Sequence, residues 1–200
     1  MKFLMDVQIP RLKSMMDRYP GFISGQLITP LTSFKTWEGQ FAVDNGAFTQ
    51  FSERRYRRIL DRNEVKTDRC KFVTVPDIVG SGRRTLEIFR HRDRWISSDL
   101  KIALVIQNGM EDLDIPWSDL QAIFIGGIDP YKSSKSVADI VKTALILKKH
   151  VHVGRVNTAT RFDYFSELGA DTCDGSGVAR YDHMMQSLVS KLTTRNLPFD

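Results

Sequence analysis

Residues able to do acid–base and nucleophilic chemistry recur at the ends of apolar stretches in this sequence. Asp44 follows the apolar run Phe41–Val43, and the Asp-Asn-Gly that begins there is typical of a turn. The same plan repeats along the chain, and the residues that end these runs are Asp44, Asp77, Gln107, Gly126, Gly127, Gly154, Arg155 and Asp174. Each aspartate alone is typical of a turn or a helix cap, but the repetition predicts one shared site.

Alternating apolar runs and amphipathic stretches must position these residues. We predict strands near residues 3–7, 22–28, 41–43, 71–75, 102–106, 122–125, 150–153 and 170–174. We predict helices near residues 10–19, 51–62, 83–96, 116–121, 158–168 and 181–192, and a further helix that Ser136 caps and whose apolar side runs from Val137 to Leu147. This α/β alternation predicts a single-domain (β/α)8 barrel over residues 1–200, whose strands all end at one mouth. A doubly wound open sheet is the alternative, but no Gly-x-Gly-x-x-Gly follows the first strand.

The composition suits a globular protein with a polyanionic partner. The chain has 200 residues, of which 42% are hydrophobic, and a formal net charge of +5. Arginines cluster in two predicted helices, with Arg54, Arg55, Arg57, Arg58 and Arg62 in one and Arg83, Arg84, Arg90, Arg92 and Arg94 in the next. Because arginine forks suit phosphates, we expect these helices to contact nucleic acid, with two solvated helix faces as the alternative.

The cysteines and the chain ends predict a cytoplasmic protein. Cys70 and Cys173 indicate neither a disulfide framework nor a zinc site. The first residues, 1–6, are too short and too quickly charged for a signal peptide. No apolar run approaches transmembrane length, so no membrane contact is expected. We expect residues 196–200 to be loose or docked by Phe199.

Taken in order, the motifs resemble those of the tRNA-guanine transglycosylase superfamily, including its DNA-acting 7-deazaguanine branch, over roughly residues 40–180. Asp44, in Val-Asp-Asn-Gly-Ala-Phe, is similar to the family's acid–base aspartate. Asp77 and Gln107 are similar to residues that hydrogen-bond the purine-like base. Gly126–Gly127 is similar to a double glycine whose backbone contacts the base, and Asp174, in Gly-Ala-Asp-Thr-Cys-Asp, is similar to the nucleophile.

The chain also departs from the family pattern. No Cys-x-Cys-x-x-Cys…His zinc subdomain follows Asp174, which argues against tRNA as the substrate and makes the chain similar to the short, zinc-less branch. Asn45 and Ala47 replace the usual Ser and Gly around the acid–base aspartate. The resemblance therefore implies a base pocket of changed specificity, to which Asn45 contributes.

The residue types fit the cleavage of an N-glycosidic bond. Such cleavage builds positive charge on the sugar, which we expect Asp174 to stabilise or attack, while Asp44 protonates the leaving base. Asp77, Gln107, Gly126 and Gly127 would read the edge of a flipped base. We expect phosphates to meet Gly154, Arg155, Gly175, Ser176, Arg180, Arg54, Arg55, Arg58, Arg83 and Arg84, although Gly175 and Gly177 equally suit a plain turn. His152 is predicted to lie in the core and His183 on a helix surface, and neither a metal nor a cofactor is expected.

Three classes of function remain open on the sequence. The first is a DNA glycosylase that removes a modified base, leaves an abasic site and acts in anti-phage defence. The second is a transglycosylase that exchanges a base of DNA or tRNA for a 7-deazaguanine. The third is an inactive barrel that only binds nucleic acid. A metal-dependent hydrolase is disfavoured because no His-x-His or paired histidine follows any strand.

Overall fold

Eight parallel strands form a closed barrel in the computed structural model, which describes residues 1–94 and 96–195. The strands are β1 Lys2–Met5, β2 Ile23–Ile28, β3 Phe41–Val43, β4 Cys70–Thr74, β5 Ile102–Ile106, β6 Ala122–Ile125, β7 His150–Val153 and β8 Thr172–Cys173. Each strand pairs with the next in sequence, and β8 pairs with β1. The predicted (β/α)8 barrel is therefore confirmed, and the open sheet is wrong. Trp95, placed by prediction in the third helix, and the tail with Phe199 lie outside the described residues.

Helices cover the outside of the barrel between most strands. They are α1 Ile9–Arg18, α2 Glu53–Leu60, α3 Gly82–Arg90, α4 Lys135–Ile146, α5 Ala159–Glu167, α6 Ser176–Arg180 and α7 Asp182–Arg195. The segment from 29 to 40, between β2 and β3, contains no described helix, and only the short 3-10 turns Met110–Asp112 and Trp117–Asp119 lie between β5 and β6. Among the described residues, no helix is long and apolar enough to cross a membrane.

Several predicted boundaries were wrong for local reasons. The first strand stops before Asp6, because the carboxylate of Asp6 turns to accept hydrogen bonds from the hydroxyls of Thr29 and Thr32. Ser134, not Ser136, caps α4, since Ser134 has extended backbone angles and its Oγ accepts the N–H of Val137 at 3.3 Å.

Helix lengths also differ from prediction. The helix predicted at 83–96 ends at Arg90 and is followed by a 3-10 turn, Arg92–Arg94. The helix predicted at 116–121 is a 3-10 turn. The helix predicted at 181–192 corresponds to α7, and the short α6 before it was not predicted. Each is a short or polar stretch, where periodicity is a weak guide to length.

The core has an inner and an outer layer. The outer layer lies between the strands and the helices. The inner layer fills the barrel with Leu4, Leu27, Ala42, Phe72, Ala103, Val105, Ala122 and Phe124. Small alanines on three strands leave room for the two phenylalanine rings and for a histidine of β7, His152, which contacts both rings. The barrel is therefore filled beneath its mouth, so ligands can enter only from the loops.

Candidate active site

A cavity of about 360 Å³ opens at the C-terminal ends of the strands. Four carboxylates contribute to its wall, those of Asp6, Asp44, Asp77 and Asp174. The structure also brings Gln107, Gly126, Gly154, Arg155, Gly175, Ser176 and Arg180 to this wall. Ten of the predicted site residues thus share one cavity with the overlooked Asp6, because parallel strands of a closed barrel deliver their ends to one rim.

Asp44 lies where β3 ends, beside the buried Thr74 of β4. The hydroxyl of Thr74 donates to Asp44 Oδ1 at 3.4 Å and accepts the backbone N–H of Asn45 at 2.8 Å. Burial and then the charges of Asp77 and Asp174 raise the pKa of Asp44 to about 7. At neutral pH a large share of the molecules therefore carry a proton on Asp44, as a general acid requires.

Asp77 is held by two side-chain amides. Its Oδ1 accepts from Asn45 Nδ2 at 2.8 Å, and its Oδ2 accepts from Gln107 Nε2 at 2.7 Å. Burial raises the pKa of Asp77, while the two amide donors oppose that rise. The carboxyl of Asp77 is thus fixed in orientation at the wall of the cavity.

Asn45 and Gln107 mainly hold loops together. Asn45 is fully buried behind Asp77 and outside the cavity wall, so the structure places it as a support rather than at the predicted base contact. Gln107 Oε1 accepts the backbone N–H groups of Gly80 at 2.9 Å and Gly127 at 3.0 Å. Through these bonds Gln107 joins the loops that follow β4 and β6.

The two adjacent glycines have different structural roles. Gly127 donates its N–H to Gln107 and accepts the guanidinium of Arg155 on its carbonyl oxygen, so both backbone groups are already bonded. Gly126 lies at the cavity wall, where a Cβ would come within 2.7 Å of both Gln107 Nε2 and Val105 Cγ1. Glycine at 126 therefore permits close packing around Gln107.

Asp174 follows β8 and keeps its side chain 16% exposed. Its Oδ1 accepts the backbone N–H of Arg155 at 3.1 Å, and its Oδ2 lies 3.1 Å from His152 Nε2. His152 is fully buried, as predicted, but it contacts the candidate nucleophile, which the sequence reasoning missed. The sequence does contain a His-x-His pair, His150 and His152, but this pair lies within β7 rather than after a strand. The described residues form no cluster of metal-ligating side chains.

Lys132 is a buried amine that sequence reasoning missed, because it lies in a short polar 3-10 turn, Tyr131–Ser133, without any motif. Its Nζ donates to the carbonyl oxygen of Gly154 at 2.6 Å. Burial, and then the charge of Arg155, lower the pKa of Lys132 to about 7. Lys132 thus supports the loop whose backbone N–H binds Asp174.

Arg155 connects Asp174 to the rim of the cavity. Its backbone has the left-handed φ of 60°, which is costly for a residue with a side chain and so marks a functional candidate. Its guanidinium lies 4.0 Å from the ring centroid of Phe48, a side chain that is 60% exposed. Leu31 and Val79 are exposed apolar residues of the same wall. The mouth therefore has an apolar lip, formed by Leu31, Phe48 and Val79, and two arginines, of which Arg155 packs against Phe48.

The predicted phosphate contacts fall into two groups. Arg155 and Arg180 line the cavity, whereas Arg54, Arg55, Arg58, Arg83 and Arg84 are exposed on the outer helices and outside the cavity wall. Of the other clustered arginines, Arg57 pairs with Glu53, Arg62 donates to Ser33 and Phe34, and Arg92 pairs with Asp119.

Asn157 occupies the start of α6, where a phosphate was expected. Its Oδ1 accepts the N–H groups of Gly177 at 2.8 Å and Val178 at 3.3 Å. Gly175 and Ser176 lie beside these amides at the cavity wall. Gly175 is the N-cap of α6 and Gly177 lies within it, so the structure shows a helix start supported by Asn157 rather than a plain turn.

No family model matches the sequence, and no curated protein matches it significantly. The resemblance to transglycosylases therefore stays an expectation drawn from the motifs.

Proposed function

We propose that this chain is an enzyme that cleaves the N-glycosidic bond of a modified nucleobase in DNA, as a glycosylase. The observation that carries the proposal is the pair of carboxyl groups in one cavity with different surroundings. Asp44 has a pKa raised to about 7, and Asp174 is held by two hydrogen-bond partners. Two carboxyl groups in unlike environments are the arrangement that acid catalysis and sugar stabilisation need in glycoside hydrolysis.

The proposed reaction assigns one role to each group. A flipped base enters the cavity, whose volume of about 360 Å³ lies within the usual range of small-molecule sites, about 300–1,000 Å³. Asp44 gives its proton to the leaving base, and Asp174 stabilises or attacks the sugar carbon as the bond breaks. Water then adds to that carbon and returns a proton to Asp44, which leaves an abasic site.

The environment of the cavity supports a nucleic-acid substrate. Asp77 and Gln107 present fixed polar groups at the wall, and the exposed lip of Phe48 suits the flat face of a base. Arg155, Arg180 and the exposed arginines of α2 and α3 suit phosphates. Action on modified phage DNA would give the enzyme a place in anti-phage defence, in line with its resemblance to the DNA-acting branch.

The test uses purified protein with DNA that carries natural base modifications, together with unmodified DNA and tRNA as controls. Released bases are identified by mass spectrometry, and abasic sites are cut with alkali. We expect released base and alkali-labile sites in equal amounts. Release that requires a free 7-deazaguanine, with its incorporation, would establish the transglycosylase instead.

Two variants separate an enzyme from a binding protein. Asp174→Asn is expected to abolish base release while DNA binding persists. Asp17→Asn removes the same charge from an exposed position on α1 and should behave as wild type. Base release that survives in Asp174→Asn would contradict the assigned role, and absence of release from every substrate would favour the binding-only barrel.

A further inference from the structure

A row of hydrogen bonds runs from the cavity into the barrel interior. Asp174 Oδ2 lies 3.1 Å from His152 Nε2, and His152 Nδ1 lies 2.9 Å from Thr172 Oγ1. The same hydroxyl lies 2.8 Å from His150 Nε2. The row exists because β7 and β8 pair with His152 opposite Thr172. It therefore belongs to the barrel scaffold rather than to a loop.

Apolar rings enclose the middle of this row. The imidazole of His152 is fully buried, with the ring centroids of Phe124 and Phe72 at 4.6 and 5.2 Å. His150 lies 5.6 Å from Phe72, and its Nδ1 is 3.7 Å from Asp171 Oδ2 at the other end of the row. Full burial against these two rings holds the His152 ring in place, so its two nitrogens keep their separate partners.

The proton positions along the row follow from two conditions, an ionised Asp174 and a neutral His152 ring. An ionised Asp174 can only accept, so His152 Nε2 must carry the proton of that bond. In a neutral ring Nδ1 then accepts, and the hydroxyl of Thr172 must donate to it. That hydroxyl in turn accepts from His150 Nε2. One direction of donation thus satisfies each of the three hydrogen bonds from His150 to Asp174.

We propose that His152 is a positioning residue that Thr172 and His150 hold in its Nε2–H tautomer, so that it fixes the carboxylate of Asp174 toward the cavity. With Oδ1 held by the N–H of Arg155 and Oδ2 held by His152, the carboxylate cannot rotate about its Cβ–Cγ bond. The catalytic consequence rests on the role proposed for Asp174. The tautomer and the bond to Asp174 do not depend on it.

The kinetic test compares wild type and three variants on the DNA substrate from which wild type releases most base. Thr172→Val keeps the side-chain shape but removes the shared hydroxyl, and His152→Asn removes the ring. His183→Gln is the matched control, because His183 is exposed on α7. We expect kcat to fall about 10²-fold in His152→Asn and about tenfold in Thr172→Val, with KM unchanged, since loss of orientation costs rate. Unchanged kcat in folded Thr172→Val and His152→Asn would overturn the positioning role.

A spectroscopic test decides the tautomer without any activity. Imidazole nitrogens of 15N-histidine protein are recorded by NMR, and the His152 signals are assigned by their loss in His152→Asn. We expect one protonated nitrogen, Nε2, whose shift moves in Asp174→Asn and whose partner Nδ1 moves in Thr172→Val. Protonation of both nitrogens, or of Nδ1 alone, would overturn the proposal. Absence of base release with the expected NMR result would contradict the proposed function and leave the positioning contact standing.

Discussion

At the scale of single residues, the protonation of Asp44 sets the expected pH dependence of activity. Its pKa is raised to about 7, and the proposed reaction needs the protonated form. We therefore expect base release to be constant below neutral pH and to fall about tenfold per unit above pH 7. The measurement is kcat/KM for base release from pH 5 to pH 9.

Asp44→Asn tests whether Asp44 causes the decline in base release above pH 7. Because an amide cannot deliver a proton, we expect release to fall by about 10²–10⁴-fold and the remaining activity to lose its decline above pH 7. Asp17→Asn should keep the wild-type profile. If Asp44→Asn keeps the full decline above pH 7, that decline is caused by another group.

At the scale of elements, the loop after β3 carries the exposed ring of Phe48 at the cavity mouth. Stacking of a base on an aromatic ring contributes about 1–3 kcal/mol. We expect Phe48→Ala to raise KM for DNA by about 5- to 150-fold with a smaller change in kcat, which steady-state kinetics would measure. Ile146→Ala is the matched control, because Ile146 is 80% exposed on α4 and lies outside the cavity wall. An equal loss in both variants would argue against a stacking role.

The starts of α2 and α3 carry exposed arginines near the mouth. The N–H of Gly82, which begins α3, donates to the carbonyl oxygen of Asn108 in the loop after β5 at 2.7 Å, so this end of α3 lies at the rim. If Arg83 and Arg84 contact phosphates, replacing both with Gln should reduce the slope of log K against log salt by about 1.4–1.8. Fluorescence anisotropy with labelled DNA at several salt concentrations measures the slope.

Arg90→Gln provides the control for this measurement, because Arg90 is exposed at the opposite end of the same helix. Its slope should match that of wild type. If the double variant also keeps the wild-type slope, the arginines of α3 form a solvated helix face, which was the alternative reading of the sequence.

At the scale of the whole molecule, the half-buried Asp44 and the buried Lys132 predict a minimum of stability near pH 7, while His150, whose pKa is lowered to about 4, opposes part of the fall on the acid side. Asp44 has a pKa of about 7 against an ordinary 3.8, so its contribution is full below about pH 4 and is lost as pH rises through 7. Lys132 has a pKa of about 7 against an ordinary 10.5. As the pH rises, the folded protein therefore loses the proton of Lys132 before the unfolded protein does, and stability rises again between about pH 7 and 10.5.

Unfolding by urea at pH 5, 7 and 9 tests this expectation. We expect the free energy of unfolding to change by about 1–3 kcal/mol between pH 5 and 7, and by a similar amount between pH 7 and 9. Asp44→Asn should remove the fall below pH 7, Lys132→Met should remove the rise above pH 7, and the double variant should remove both. Parallel curves for all four proteins would contradict the assignment of these two groups.

The sequence by itself determined the barrel and most of its polar rim. Runs such as Phe41–Val43 and Ile102–Ile106 are apolar throughout, as strands buried on both faces must be, and each ends in a polar residue. Parallel order then places Asp44 and Gln107 at the same end of the barrel. These signals are local in the sequence and do not depend on strand register, so the structure agrees with them.

Only the tertiary structure decided which of these residues touch. Asn45 lies behind Asp77 rather than in the cavity, and Lys132 lies beneath Gly154, 22 residues further along the chain. The contact of His152 with Asp174 depends on the register of β7 against β8 and on the rings packed beside it. Periodicity tells which face of a strand is buried, but contacts across the barrel come from closure and register, which the chain acquires only when it folds.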